Sequence, residues 1–285
     1  MAAEPLVFAL DIGTRTIVGL VLTAAGSGYR IKAVQIEEHK ERAMFQGQIH
    51  DIEAVARLVI KIKEKLEKRL GQKLERVAVA AAGRSLLTRR GTSFHQPPPG
   101  QPVTREQVMA LELEAVQKAQ KKIVGADNSL RDHFCIGYSV VNYTLDDEVI
   151  QNLVGQTGSK VGVEIIATFL PRVVVDSLIS ALRMAGMEAS SPTLEPIAAL
   201  AVAIPPQMRL LNLALVDIGA GTSDIAVVQK GRIVAYAMVP VGGDEITERL
   251  AEEYLLDFNT AEKVKRRLGE EETLTFADVL ENRIT

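Results

Sequence analysis

The densest chemistry in the chain lies in Leu215–Val228, LVDIGAGTSDIAVV. Apolar residues run into Asp217, a glycine-rich turn follows, and a second apolar run starts at Ile225. That order predicts a strand, a tight turn and a strand. Gly219 and Gly221 keep side chains off the tip, so backbone N–H groups can face a ligand. Thr222 and Ser223 add hydroxyls, and Asp217 and Asp224 add carboxylates able to hold a cation or its water shell. Together these groups suit a metal-bound phosphate. Near the N-terminus, Phe8–Leu22, FALDIGTRTIVGLVL, repeats the pattern: Asp11, Gly13, Thr14, Arg15 and Thr16 stand between two apolar runs. One such hairpin reads equally well as an ordinary Gly-rich turn. Two copies of D-I-G-x-x-T point to a duplicated phosphate site, one in each half of the chain.

This pair resembles the phosphate-1 and phosphate-2 loops of the actin-like ATPase superfamily. The resemblance implies an α/β fold of the actin-like (ribonuclease H-like, Hsp70-type) kind, with the two hairpins clamping Mg·ATP across a cleft. It implies phosphate contacts at Gly13, Thr14, Thr16, Gly219, Gly221 and Thr222. Asp11 and Asp217 would order the hydration shell of Mg²⁺. Arg15 departs from the small or hydroxyl residues usual in that loop; it could reach the terminal phosphate or shield the site.

Three further stretches extend the resemblance. Glu195-Pro196-Ile-Ala-Ala-Leu-Ala-Val is similar to the superfamily's first connecting helix, which makes Glu195 the candidate that orients an attacking water. A carboxylate suits that task; on the residues alone, Glu195 also reads as a charge stabilising a helix start, with Pro196 in the first turn. Val241-Gly242-Gly243-Asp244 opens a predicted helix, where Gly242 and Gly243 let backbone approach a ligand and the helix start favours an anion. Thr260–Lys265 followed by Gly269 is similar to a segment of FtsA-type division proteins, with Leu268 where that family usually has Tyr. The similarity implies that Glu262 and Lys265 contact ribose and adenine. As residues alone they read equally as a surface i, i+3 pair worth about a few tenths of a kcal/mol.

The elements that must position these groups follow from periodicity. Leu6–Asp11, Ile17–Thr23 and Tyr29–Gln35 read as strands. Asp51 is placed to cap a helix to Leu70, with Val55, Leu58, Val59, Ile62 and Leu66 on one face and Gly71 as its stop. Its Lys-rich opposite face reads as a solvated surface. A strand over Arg76–Ala82 follows. Hsp70 and actin carry a sizeable subdomain after the third strand, and this chain has only a short connection there. From Gly83 the texture turns polar and basic. His95–Pro102 is unsuited to helix or central strand. Thr104-Arg-Glu-Gln107 forms a capping box for a helix to about Val124. Strands are predicted over Phe134–Asn142 and Val161–Leu170, then a helix over Val173–Met184.

This middle stretch is similar to the 1C subdomain found in FtsA-type proteins. The expected division is therefore 1–87 with 166–207 as subdomain 1A, 88–165 as 1C, 208–242 as the first part of 2A, and 243–285 as the start of 2B. The chain runs out before the last third of such a fold, which in the family adds an adenosine loop and a membrane-targeting helix. The expectation is weak nucleotide binding and an exposed apolar surface that self-associates.

Composition bounds the rest. The chain has 285 residues, 47% apolar and 24% charged, with a net charge of −3. That is an ordinary soluble balance with no global basic field for nucleic acid. Cys135 is the only cysteine, which excludes an intrachain disulfide and suits a reducing compartment; it reads as a small buried apolar side chain. The four histidines show no metal-ligand spacing, and the start lacks the basic and apolar regions of a signal peptide. The longest apolar run, Ile197–Ile204, falls short of the about 20 residues that span a bilayer.

The function these features imply is an ATP-binding, FtsA-like bacterial cell division scaffold with slow or no hydrolysis. It would polymerise, or bridge a tubulin-like division protein and its partners to the inner face of the cell membrane, reaching the membrane only through the absent C-terminal part. The alternative is a PilM-like adaptor of type IV pilus assembly that docks a peptide. A small-molecule kinase would need a catalytic aspartate in the first lobe, and no sharp candidate stands there.

Overall fold

The computed structural model describes residues 5–26, 28–39, 42–81, 86–126, 132–208 and 210–284. The end of the strand expected at Ala82, and the change of texture at Gly83–Ser85, lie outside them.

The first half opens with β1 (Leu6–Ile12), β2 (Thr16–Ala25) and β3 (Gly28–Glu38), then a two-residue pair, β4 (Met44–Phe45) and β5 (Gln48–Ile49). Helix α1 (Ile52–Leu70) and strand β6 (Arg76–Ala81) follow. The caps are those the sequence marks. The Asp51 side chain accepts from Ala54 N, and Gly71 closes the helix at φ 67° with its N–H on Glu67 O. The inserted elements are β7 (Leu87–His95), α2 (Arg105–Ala126), β8 (His133–Leu145), β9 (Glu148–Ile150) and β10 (Val161–Pro171). The capping box is formed: Gln107 Oε1 accepts from Thr104 N at 2.8 Å, and Gln107 N donates back to Thr104 Oγ1 at 3.3 Å. The chain returns through α3 (Arg172–Met184), β11 (Glu188–Leu194) and α4 (Glu195–Ala203). It then forms β12 (Leu213–Ile218), β13 (Ser223–Gln229) and β14 (Arg232–Val239), helices α5 (Gly243–Glu253) and α6 (Phe258–Leu268), and a short pair, β15 (Phe276–Ala277) and β16 (Arg283–Ile284).

Three sheets carry the fold. The first has the order β11-β6-β1-β2-β3, with β1 parallel to β6 and antiparallel to β2. Alternation along β1 sends Phe8, Leu10 and Ile12 to a buried face, where Val55, Val59, Ile62 and Leu66 of α1 meet them. Gly19 of β2 is required here, since a Cβ would stand 2.4 Å from Ile62 Cγ2.

The second sheet has the order β7-β10-β8-β9. Strand β10, apolar apart from Glu164 and Thr168, is buried on both faces, as a central strand should be. One face packs on Leu111, Ala115, Ala119 and Ile123 of α2; the other, through Ile166, joins Leu200 and Ile204 of α4 and Ala226, Val228 and Tyr236 of the third sheet. Strands β7 and β11 are not anticipated from the sequence, because arginines crowd the first and serines the second. Strand β10 runs past residue 165 to Pro171.

The third sheet has the order β12-β13-β14. Strand β12 lies at its edge, with Val216 and Ile218 exposed at 52% and 69%. Among the described residues, no helix is long and apolar enough to cross a membrane.

Candidate functional site

The two glycine turns are built alike. In β1–β2 the register closes at Ile12 opposite Ile17, and Gly13 N donates to Thr16 O at 3.0 Å. In β12–β13 it closes at Ile218 opposite Ser223, and Gly219 N donates to Thr222 O at 2.9 Å. The turns face each other. A Cβ at Gly221 would lie 2.8 Å from Thr14 Oγ1 and 2.9 Å from its Cγ2. The Thr14 hydroxyl also accepts from Gly47 N at 3.2 Å, which fixes the first turn to the β4–β5 loop.

Below the turns lies a nest of carboxyl groups. Asp11 ends β1 and Glu195 follows β11 directly, so both sit at the carboxyl ends of strands in the parallel part of the first sheet. In open α/β sheets this is the end where ligands gather. Glu195 and Asp11 lie side by side, close enough for their carboxyl groups to interact directly. Burial and the negative charges of Asp11, Asp224 and Asp217 push Glu195 up to about 8. Asp11 is itself raised, by burial first and by Asp217 in addition. Asp224, paired with Asp217 across β12–β13, is 4% exposed and is pushed to about 6 by burial against a hydrogen bond from Thr222. Its Oδ1 has no partner among the described residues.

These partly shielded acids, with one orphaned oxygen, are groups to which a cation could be attracted. No three His, Cys, Asp or Glu side chains among the described residues are grouped to ligate a metal.

The third part of the site differs from its sequence reading. Gly242 and Gly243 do not hold their first helical N–H groups out for an anion: Gly243 N donates to Gly219 O at 2.9 Å and Asp244 N to Ala220 O at 2.8 Å. The start of α5 is thereby docked on the phosphate-2 turn. A Cβ at Gly242 would fall 2.5 Å from Ala220 O, so glycine is needed there for packing.

Glu262 and Lys265 are no surface pair either. Glu262 is 5% exposed and sits among four donors. Lys265 Nζ lies 2.6 Å away, Thr247 Oγ1 donates at 2.5 Å, Arg266 Nε at 2.9 Å, and Arg15 Nη1 reaches across from the phosphate-1 turn at 2.6 Å. Burial alone would raise this carboxyl; the four hydrogen bonds win and hold it at about 2. Lys265 also donates to Gly243 O at 2.9 Å. Arg15 is held a second time, by Glu38 Oε1 at 2.8 Å. The structure therefore brings every candidate into one region, but engages Arg15, Glu262 and Lys265 with one another. Sequence reasoning missed Glu38, Gly47 and Thr247, whose roles arise from distant elements meeting and leave no local pattern.

A family model described as "Cell division protein FtsA" matches residues 214–279. The protein named cell division protein FtsA from Pseudomonas aeruginosa is 25% identical over 264 residues, 92% of this chain and 60% of its own length. That of Escherichia coli K12 is 23% identical over 265 residues, 93% of this chain and 60% of its own. Among solved structures, one described as the "PilM-PilN type IV pilus biogenesis complex" aligns with a TM-score of 0.67 at 19% identity, covering 94% of this chain and 71% of that one. The fold is actin-like, and over most of its length the chain is similar to FtsA-type division proteins. The likeness to the PilM complex is one of fold alone. The chain spans about 60% of the length of the curated FtsA relatives it matches.

Proposed function

We propose that this FtsA-like chain binds Mg·ATP between its two glycine turns and serves as the nucleotide-binding part of a bacterial cell division scaffold. The observation that carries this reading is the pair of turns, alike in hydrogen bonding and apposed at Thr14 and Gly221 above a carboxyl nest. Asp11 and Asp217 would hold Mg²⁺ through its water shell, and the ion would supply positive charge to offset that of the phosphates. The hydroxyls of Thr14, Thr16 and Thr222 and the backbone at Gly13, Gly219 and Gly221 would meet the phosphates.

Glu195 would orient water. Its raised pKa favours the protonated form, which is a poor base, and a nearby cation lowers that pKa by favouring the charged form. Hydrolysis would therefore be slow without the ion. The division into 1A-, 1C-, 2A- and 2B-like subdomains belongs to the same proposal. So do assembly with copies of itself or with a tubulin-like division protein, and residence at the inner face of the membrane.

Calorimetric titration with Mg·ATP tests the core of the reading. Binding by the wild-type chain that Asp217→Ala reduces at least about tenfold supports it. A wild-type chain silent to millimolar Mg·ATP, or binding indifferent to Asp217, overturns it.

A further inference from the structure

We propose that Arg15 serves two anions in turn: the Glu262 carboxylate of α6 and the phosphate of an incoming nucleotide, so that nucleotide entry and the hold of the first half on α6 are coupled through one guanidinium. This rests on the nucleotide reading above and adds a regulation of the same site.

The geometry gives the reasons. Arg15 is the third residue of the Gly13–Thr16 turn, next to the Thr14 side chain that abuts Gly221. Its side chain is only 20% exposed and spans two carboxylates, Glu262 at 2.6 Å and Glu38 at 2.8 Å. It thus ties the phosphate-1 turn to the far side of the cleft. A parallel tie runs nearby, where Arg42 Nη2 meets Glu248 Oε1 at 2.5 Å and the Arg42 guanidinium lies 4.1 Å from the Phe258 ring centroid.

The Arg15 tie is built to part. A buried carboxylate that loses its sole partner is costly. Glu262 keeps Lys265, Thr247 and Arg266 when Arg15 leaves. Glu38 is 54% exposed, so water can replace the guanidinium there. A phosphate offers the same forked acceptor geometry with more charge, and a guanidinium in a shielded turn exchanges readily toward it. A nucleoside seated on Glu262 and Lys265, as the sequence resemblance implies, competes with Arg15 for that carboxylate and offers the guanidinium no phosphate in return.

The two halves of the idea give effects of opposite sign, which a merely structural arginine would not. Calorimetry on the full 285-residue chain would compare Mg·ADP with adenosine for wild type, Arg15→Ala and Arg15→Lys. For Arg15→Ala the expected result is Mg·ADP binding about tenfold weaker, from the lost charged hydrogen bonds, with adenosine binding about threefold tighter. Arg15→Lys keeps the charge but has no fork to span Glu38 and Glu262; it should lose less for Mg·ADP and still gain for adenosine. This second variant carries the test if circular dichroism shows that Arg15→Ala does not fold. Both ligands shifting in the same direction overturns the exchange while leaving the nucleotide reading intact. A wild-type chain that binds neither ligand overturns both.

Discussion

Thr14 and Gly221 touch across the cleft, with the threonine side chain filling the space a Gly221 Cβ would need. The close approach depends on glycine for room rather than for a left-handed backbone, since Gly221 is not among the positive-φ glycines. Gly221→Ala is expected to push the turns apart and destabilise the chain by about 1–3 kcal/mol. Thr14→Ala in the same chain removes the atoms it strikes at 2.8 and 2.9 Å, leaving only a 3.2 Å approach to the Gln46 Cα. Thermal unfolding should show stability recovered in the double variant, while calorimetry shows nucleotide binding still lost. Equal melting of the single and double variants would count against the contact.

Gly242 and Gly243 stand side by side and should respond differently. A methyl on Gly242 meets the carbonyl oxygens of Ala220 and Gly219 at 2.5 and 2.6 Å, and backbone cannot step aside. A methyl on Gly243 meets the end of the Lys265 side chain at 3.3 Å, which can. Gly242→Ala is expected to cost about 1–3 kcal/mol and to strain the Gly243 N and Asp244 N bonds to the turn. Gly243→Ala should cost less than about 1 kcal/mol. Urea titrations of both variants check the order, and a reversed order would contradict this docking of α5.

What the sequence reveals divides along the same line. The paired turns, α1 with Asp51 and Gly71, and the Thr104–Gln107 box are legible because each is fixed by residues within a few positions of one another. The approach of Glu195 to Asp11, and the burial of Glu262 under Arg15, depend on elements far apart in the chain. Local pattern cannot distinguish a solvated Glu–Lys pair from a buried one. Strand β7 escaped for another reason: Arg89 and Arg90 break its apolar alternation, and only the pairing with β10 makes it a strand.

The carboxyl nest sets a pH dependence whose sign can be worked out. Glu195 and Asp224 have folded pKa values raised to about 8 and about 6. Between their unfolded values and these, the folded chain binds more protons than the unfolded one, so stability falls as pH rises through that window. Glu262, held at about 2, has the opposite effect: its contribution is present above the unfolded carboxyl range and is lost as pH falls toward 2. Melting temperature should therefore peak near about pH 4, fall most steeply between about pH 4.5 and 6, where both raised groups ionise more readily in the unfolded chain, and decline further toward pH 8. Glu195→Gln should flatten the decline, and millimolar Mg²⁺ should offset it in the wild type. A decline unchanged by Glu195→Gln would place its cause elsewhere.

Arg232 ties the third sheet to the second. Its guanidinium donates to Val141 O at 3.0 Å, Asn142 Oδ1 at 2.5 Å and Ile150 O at 3.1 Å, while the Tyr236 hydroxyl meets Ser139 Oγ at 3.0 Å. Two of these acceptors are backbone carbonyls, which have no side-chain substitute if the arginine goes. Arg232→Met keeps the length of the apolar stem and removes the donors, so it isolates the hydrogen bonds from the packing. The expected cost is about 2 kcal/mol. The β13–β14 hairpin should lose amide-exchange protection before β1–β2, because it leans on the second sheet through these bonds and on α4 through Ala226 and Val228. Exchange measured by mass spectrometry would show this as faster uptake over 223–239. Uniform acceleration across the chain would mean that the two sheets unfold as one unit and that Arg232 adds only to global stability.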